Sequence, residues 1–94
     1  MHSEKKLLRA LNRLSELFEN SSEEADTDER MEAFNSGHEQ CKAIIGYIES
    51  KDMLSALSAW KSLVYFADDS IGGNEKFLNK YQPIKQNIIN WGLK

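Results

Sequence analysis

Residues 31–48 read MEAFNSGHEQCKAIIGYI, and within them Met31, Phe34, His38, Cys41, Ile45 and Ile48 recur at alternating steps of three and four. That spacing puts all six on one stripe of an α-helix, because residues three and four apart stack on the same face. An acidic run, Glu23, Glu24, Asp26, Asp28, Glu29 and Glu32, precedes the stretch and overlaps its start. A core helix with a concentrated negative beginning is the pattern from which the rest of the chain is read.

Outward from it, three more segments carry the same periodicity. Leu7, Leu11, Leu14 and Phe18, widened by Leu8 and Leu17, form a first stripe, with Ser3 as the expected N-cap and Glu4 in the favourable first turn. Asn20-Ser21-Ser22 reads as its end. Two capping boxes then compete, Ser21-x-x-Glu24 and Asp26-x-x-Glu29, so the second helix starts somewhere from 22 to 28 and runs to about Glu49 across Gly37. After Ser50-Lys51-Asp52, of which Ser50 or Asp52 is the cap, Met53, Leu57, Trp60, Val64 and Ala67 supply a third stripe. Residues 68–73, DDSIGG, read as a loop, with Asn74 capping a fourth segment built on Phe77, Tyr81, Ile84, Ile88 and Trp91. Pro83 interrupts that segment; it removes a backbone hydrogen bond, so the last helix is expected to be kinked or split there. Val and Thr occur once each in 94 residues, which argues against a sheet. The expectation is a single all-α domain over 1–94, an antiparallel four-helix bundle.

The net charge of −3 is unevenly spread. Residues 20–40 hold seven acids and only Arg30, a local balance of −6, whereas each of the other quarters comes to +1. A protein that grips phosphates needs the opposite sign in a patch, so no direct nucleic-acid ligand is expected and a basic protein partner is. Cys41 is the single cysteine, which excludes an intrachain disulfide and fits a reducing compartment. Charged and amide residues at Arg9, Asn12 and Arg13 break the apolar run after Lys5 and Lys6. No signal peptide, no membrane span and a cytoplasmic location are therefore expected.

Chemistry-bearing groups are sparse. His38-x-x-Cys41 supplies two ligands where zinc needs three or four, and the other histidine, His2, lies at the chain end; core packing is the expected role. In the run from Asp68 to Asn79, Gly72 stands at the fifth and Asn79 at the twelfth position of a would-be calcium loop, where ligands are required. Gly72-Gly73 before Asn74 offers an anion cradle that the neighbouring aspartates disfavour. There is no Ser/His/Asp set, phosphate loop, CxxC or Glu-x-x-His pair, so no enzyme, metal site or cofactor is expected. Tyr47 and Phe66 fall about 150° from the centres of their helices' stripes and Ile89 about 120°. Two outward aromatics, one beside Asp68-Asp69, fit an anchor-and-charge binding surface, and a homodimer interface covering them fits equally.

In length, helix content and the acidic residues Glu23, Glu24, Asp26, Asp28, Glu29, Asp68 and Asp69, the chain resembles small all-helical bacterial immunity proteins of the contact-dependent inhibition and nuclease-bacteriocin groups. The Tyr-Tyr-Pro signature of helical nuclease-immunity proteins is not present. The resemblance implies a cytoplasmic antidote that neutralises a nuclease toxin through an acidic surface, with Tyr47 and Phe66 as anchors. Two other classes stay open: a homodimeric regulator or adaptor, and a metal-dependent enzyme using the acidic cluster.

Overall fold

The computed structural model describes residues 4–71 and 74–93. Four helices follow in order: α1 (Glu4–Glu23), α2 (Asp28–Glu49), α3 (Met53–Ser70) and α4 (Glu75–Trp91). They pack up-down-up-down, α1 between α2 and α4 and α3 against the far side of α2, in a body of 40 × 21 × 19 Å. The expected all-α bundle is observed, and the last helix is continuous through Pro83 rather than split. Pro83 is exposed, as is Asn79 four residues earlier, whose carbonyl loses its helical donor at the missing N–H.

Side chains terminate the helices. Thr27 caps α2 by accepting from the Arg30 N–H at 3.2 Å, so neither expected capping box is used. α1 meanwhile continues to Glu23, carrying Ser21 and Ser22 inside it. Ser22 is buried instead and donates its hydroxyl to Asn35 Oδ1 at 2.7 Å, stitching the end of α1 to α2. At the other end of α2, Lys51 takes a left-handed φ of 63° while Asp52 N–H returns to Tyr47 O at 2.8 Å. That is the Schellman closure of a helix, here with lysine where glycine is favoured. Asp52 then caps α3, and Ser55 hydrogen bonds, from its side chain first and its backbone N–H second, hold the Asp52 carboxyl below its ordinary value. Asn74 Oδ1 accepts from Phe77 N–H at 3.0 Å and caps α4 as read. The Ser3 cap, His2 and the Gly72-Gly73 pair lie outside the described residues.

The core is built around aromatic rings. Phe77 of α4 stands 5.2 Å from Phe18 of α1, 5.2 Å from Phe34 of α2 and 5.3 Å from Tyr81, centroid to centroid. These are separations at which tilted and offset rings attract. Gly37 lets this happen: a Cβ there would overlap the Phe18 ring. Gly37 is thus a point of close helix approach, not merely a tolerated weak spot.

Two inner faces are turned relative to the sequence reading. In α2 the buried residues are Phe34, Gly37, Cys41, Ile44 and Ile48, a set rotated by about 50° at 100° per residue. Met31 is exposed, and His38 and Ile45 are half-buried. In α3 the buried residues are Ala56, Trp60, Leu63 and Ala67, while Leu57 and Val64 are half-buried and Met53 is exposed. Residues 68–70 belong to α3 rather than to a loop. No helix among the described residues is long and apolar enough to cross a membrane.

The two helical glycines of α2 separate packing from propensity. Gly46 has nothing within 4 Å of a notional Cβ, so Gly46→Ala should stabilise by about 0.5–1 kcal/mol. Gly37→Ala gains the same propensity but forces the Phe18 ring aside, and should destabilise by about 1–3 kcal/mol. Urea denaturation of the two variants checks this; equal effects of one sign would contradict the close approach.

Candidate functional site

The antiparallel topology gathers the end of α1, the start of α2, the end of α3 and the start of α4 into one half of the bundle. Into that half come Glu23 at the last position of α1, Glu24 and Asp26 in the connection, and Asp28 and Glu29 in the first turn of α2. Asp68 and Asp69, near the end of α3, share it. All seven are exposed. Asp28 and Glu29 face the positive end of the α2 dipole, which accounts for two of them.

The chain's own cations neutralise part of this surface. Arg30 Nη1 lies 3.1 Å from Asp26 Oδ1, one helical turn away. Lys76 Nζ of α4 lies 3.2 Å from Glu24 Oε2, and Lys85 Nζ lies 3.8 Å from Asp68 Oδ2. Glu23, Asp28, Glu29 and Asp69 make no ion pair among the described residues. Between α1, the α1–α2 connection and α4 runs an open groove of about 1000 Å³, in which Glu16, Glu23, Glu24 and Asp26 alternate with Arg13, Arg30, Lys76 and Lys80 over an apolar floor of Leu17, Phe77 and Ile84. Its walls are mixed in sign. The excess negative charge belongs to the outer surface at the start of α2.

The two expected aromatic anchors are not brought together with these acids. Tyr47 is 39 % exposed but sits near the far end of α2, about 27 Å along the axis from Glu29. Phe66 is half-buried and packs against the core, which corrects its reading as an outward residue; Ile89 is half-buried likewise. The outward aromatic of α3 is Tyr65, 78 % exposed and one turn before Asp69. Taking Ala56, Trp60, Leu63 and Ala67 as the inner stripe would have placed Tyr65 opposite it. α3 is apolar nearly all round, so hydrophobicity alone could not fix its phase.

His38 is not a core residue of the kind expected. Its Nδ1 lies 3.0 Å from the Ser15 carbonyl and 2.8 Å from Ser15 Oγ, and its Nε2 lies 3.5 Å from Glu19 Oε2. A carbonyl oxygen only accepts, so Nδ1 carries a proton and donates it to Ser15. With that proton in place Nδ1 cannot take one from the Ser15 hydroxyl, and this Ser–His–Glu set is a joint between α1 and α2, not an activated nucleophile. Cys41 is fully buried, and burial pushes its thiol far above the ordinary value, which leaves it without thiolate reactivity. Among the described residues no three His, Cys, Asp or Glu side chains converge to hold a metal ion.

Tyr81 is a further polar group inside the bundle. Its ring is fully buried beside Phe77, its hydroxyl has no hydrogen-bond partner among the described residues, and burial, then the nearby charge of Asp68, pushes its pKa up. Comparison with protein-family models, with curated proteins and with solved structures gives no match.

An orphaned buried hydroxyl costs about 1–3 kcal/mol of desolvation that no hydrogen bond recovers. Tyr81→Phe should therefore fold at least as stably as the parent, up to about 1 kcal/mol more so. Thermal unfolding measures it, and a loss above about 1 kcal/mol would mean that the hydroxyl holds a partner.

Proposed function

We propose that this protein is a non-catalytic binding module for a basic protein partner, of the immunity or antitoxin type, that neutralises a nuclease toxin in the cytoplasm. The observation that carries the reading is the surplus left after internal pairing. Glu23, Asp28, Glu29 and Asp69 are exposed and make no ion pair among the described residues, in the same half of the bundle as the exposed Tyr65. A nuclease holds phosphates in a basic cleft, and an acidic helical surface imitates that phosphate track. Fixed carboxylates accelerate encounter over roughly a Debye length, and a desolvated aromatic slows release. In this reading Tyr65 replaces Phe66 as the anchor on α3. Asp68, Asp26 and Glu24, held by the chain's own cations, contribute less than the unpaired four.

A second reading has its own observation. Leu54, 85 % exposed, and Tyr65 stand three turns apart on one outward ridge of α3, with Met53 beside Leu54. A homodimeric adaptor would cover that ridge. Sedimentation of the purified chain over a range of concentrations separates the two: a monomer favours the heterologous partner.

With a partner captured from the source cell, Glu23→Lys, Asp28→Lys and Glu29→Lys combined should lower the association rate at low salt about tenfold or more and flatten its salt dependence. Tyr65→Ala should act on dissociation instead. Stopped-flow kinetics reads both. A partner with a basic nuclease domain whose cleavage is blocked supports the reading; an unchanged association rate in the triple variant contradicts it.

A further inference from the structure

A second, smaller cleft opens between α1 and α4, next to the mixed groove, with a volume of about 150 Å³. Ala10, Ile84 and Trp91 give it apolar lining, Asn87 an amide-bearing side chain, and Arg9 and Arg13, both exposed, two guanidinium-bearing side chains. Lys6 also borders it, its Nζ 5.9 Å from the centroid of the Trp91 ring. Among the described residues no carboxylate lines this cleft.

Two features point to what it would take. Arg9 and Arg13 are four residues apart on one helix face, where like charges repel, and neither makes an ion pair or hydrogen bond among the described residues. An anion between them relieves that repulsion, and the planar guanidinium suits a carboxylate in particular. The volume matches the roughly 150 Å³ apolar cavity known to accept a benzene molecule. Two cationic side chains and three apolar residues around a ring-sized space define one ligand shape.

We propose that the cleft binds a small aromatic carboxylate, its ring against Trp91 between Ala10 and Ile84 and its carboxylate between Arg9 and Arg13. The proposal is independent of the acidic surface, which lies on other residues.

Sodium benzoate is the probe, titrated into the full chain while the two indole N–H resonances are followed by proton–nitrogen NMR. Trp60 is buried in the core and serves as the internal control. Benzoate should shift the Trp91 resonance saturably and leave Trp60 in place. Benzyl alcohol, with the ring but no charge, and acetate, with the charge but no ring, should each bind about tenfold more weakly or less tightly still. Arg9→Gln combined with Arg13→Gln, both exposed positions, should weaken benzoate about tenfold. The proposal is overturned if benzoate gives no saturable shift at Trp91, if benzyl alcohol matches it, or if the double variant binds it unchanged.

Discussion

The Phe18 ring rests on the bare backbone of Gly37, and most of the bundle follows from that contact. With no Cβ in the way, α1 and α2 approach closely enough for Phe18 and Phe34 to share the Phe77 ring, which draws the start of α4 onto both. The same contact sets the rotation of α2: once Gly37 faces Phe18, Ile44 turns inward and Ile45 stands at the boundary. Tyr81 continues the stack, and its hydroxyl is buried because the ring's place in the cluster outweighs the loss of one hydrogen bond. α3 touches this cluster least. It meets α2 through the small residues Ala56 and Ala67 around Trp60 and Leu63, leaving the opposite ridge with Leu54 and Tyr65 in solvent.

Electrostatics then acts on a surface that packing has already arranged. The pairs Arg30–Asp26, Lys76–Glu24 and Lys51–Glu4 are exposed, and such pairs are worth about 0–1 kcal/mol each. They do little to hold the fold. Their consequence is local cancellation of charge at Glu4, Glu24 and Asp26, which leaves Glu23, Asp28 and Glu29 around the start of α2, and Asp69 on α3, among the carboxylates without an ion pair among the described residues. Separately, Arg9 and Arg13 leave positive charge along α1. A molecule with a small net charge therefore carries two uncompensated regions of opposite sign, one broad and outward, the other beside a cleft.

Helix number and order, and the starts of α3 and α4, were legible in the sequence because caps and apolar periodicity act locally: Asp52 and Asn74 cap α3 and α4 as read, whereas the Thr27 cap and the extension of α3 to Ser70 were not read. Rotation about each helix axis was not, since it depends on partners. Met31 and Ile45 looked inward because the stripe was drawn through the large side chains and not through Gly37. The continuity of α4 depended on solvent access at Pro83, which periodicity does not reveal. Among the candidate site residues, the acids on helices and connection are exposed as their charge demands, whereas the outward aromatic of α3 was misplaced by one residue, at Phe66 instead of Tyr65, in a helix that is apolar nearly all round. The Ser15–His38–Glu19 joint left no trace in sequence, because its members come from two helices 23 residues apart.

Aromatic clamping of Gly37 is most directly tested by proton NMR of the parent chain. Protons lying against a phenyl ring are displaced by its ring current, so the Gly37 α-protons should resonate away from the ordinary glycine position and show nuclear Overhauser effects to the Phe18 ring. Gly46, open to solvent, should show neither. Gly37 resonances at the ordinary position, with no effect to Phe18, would contradict the clamp and the helix rotations that depend on it.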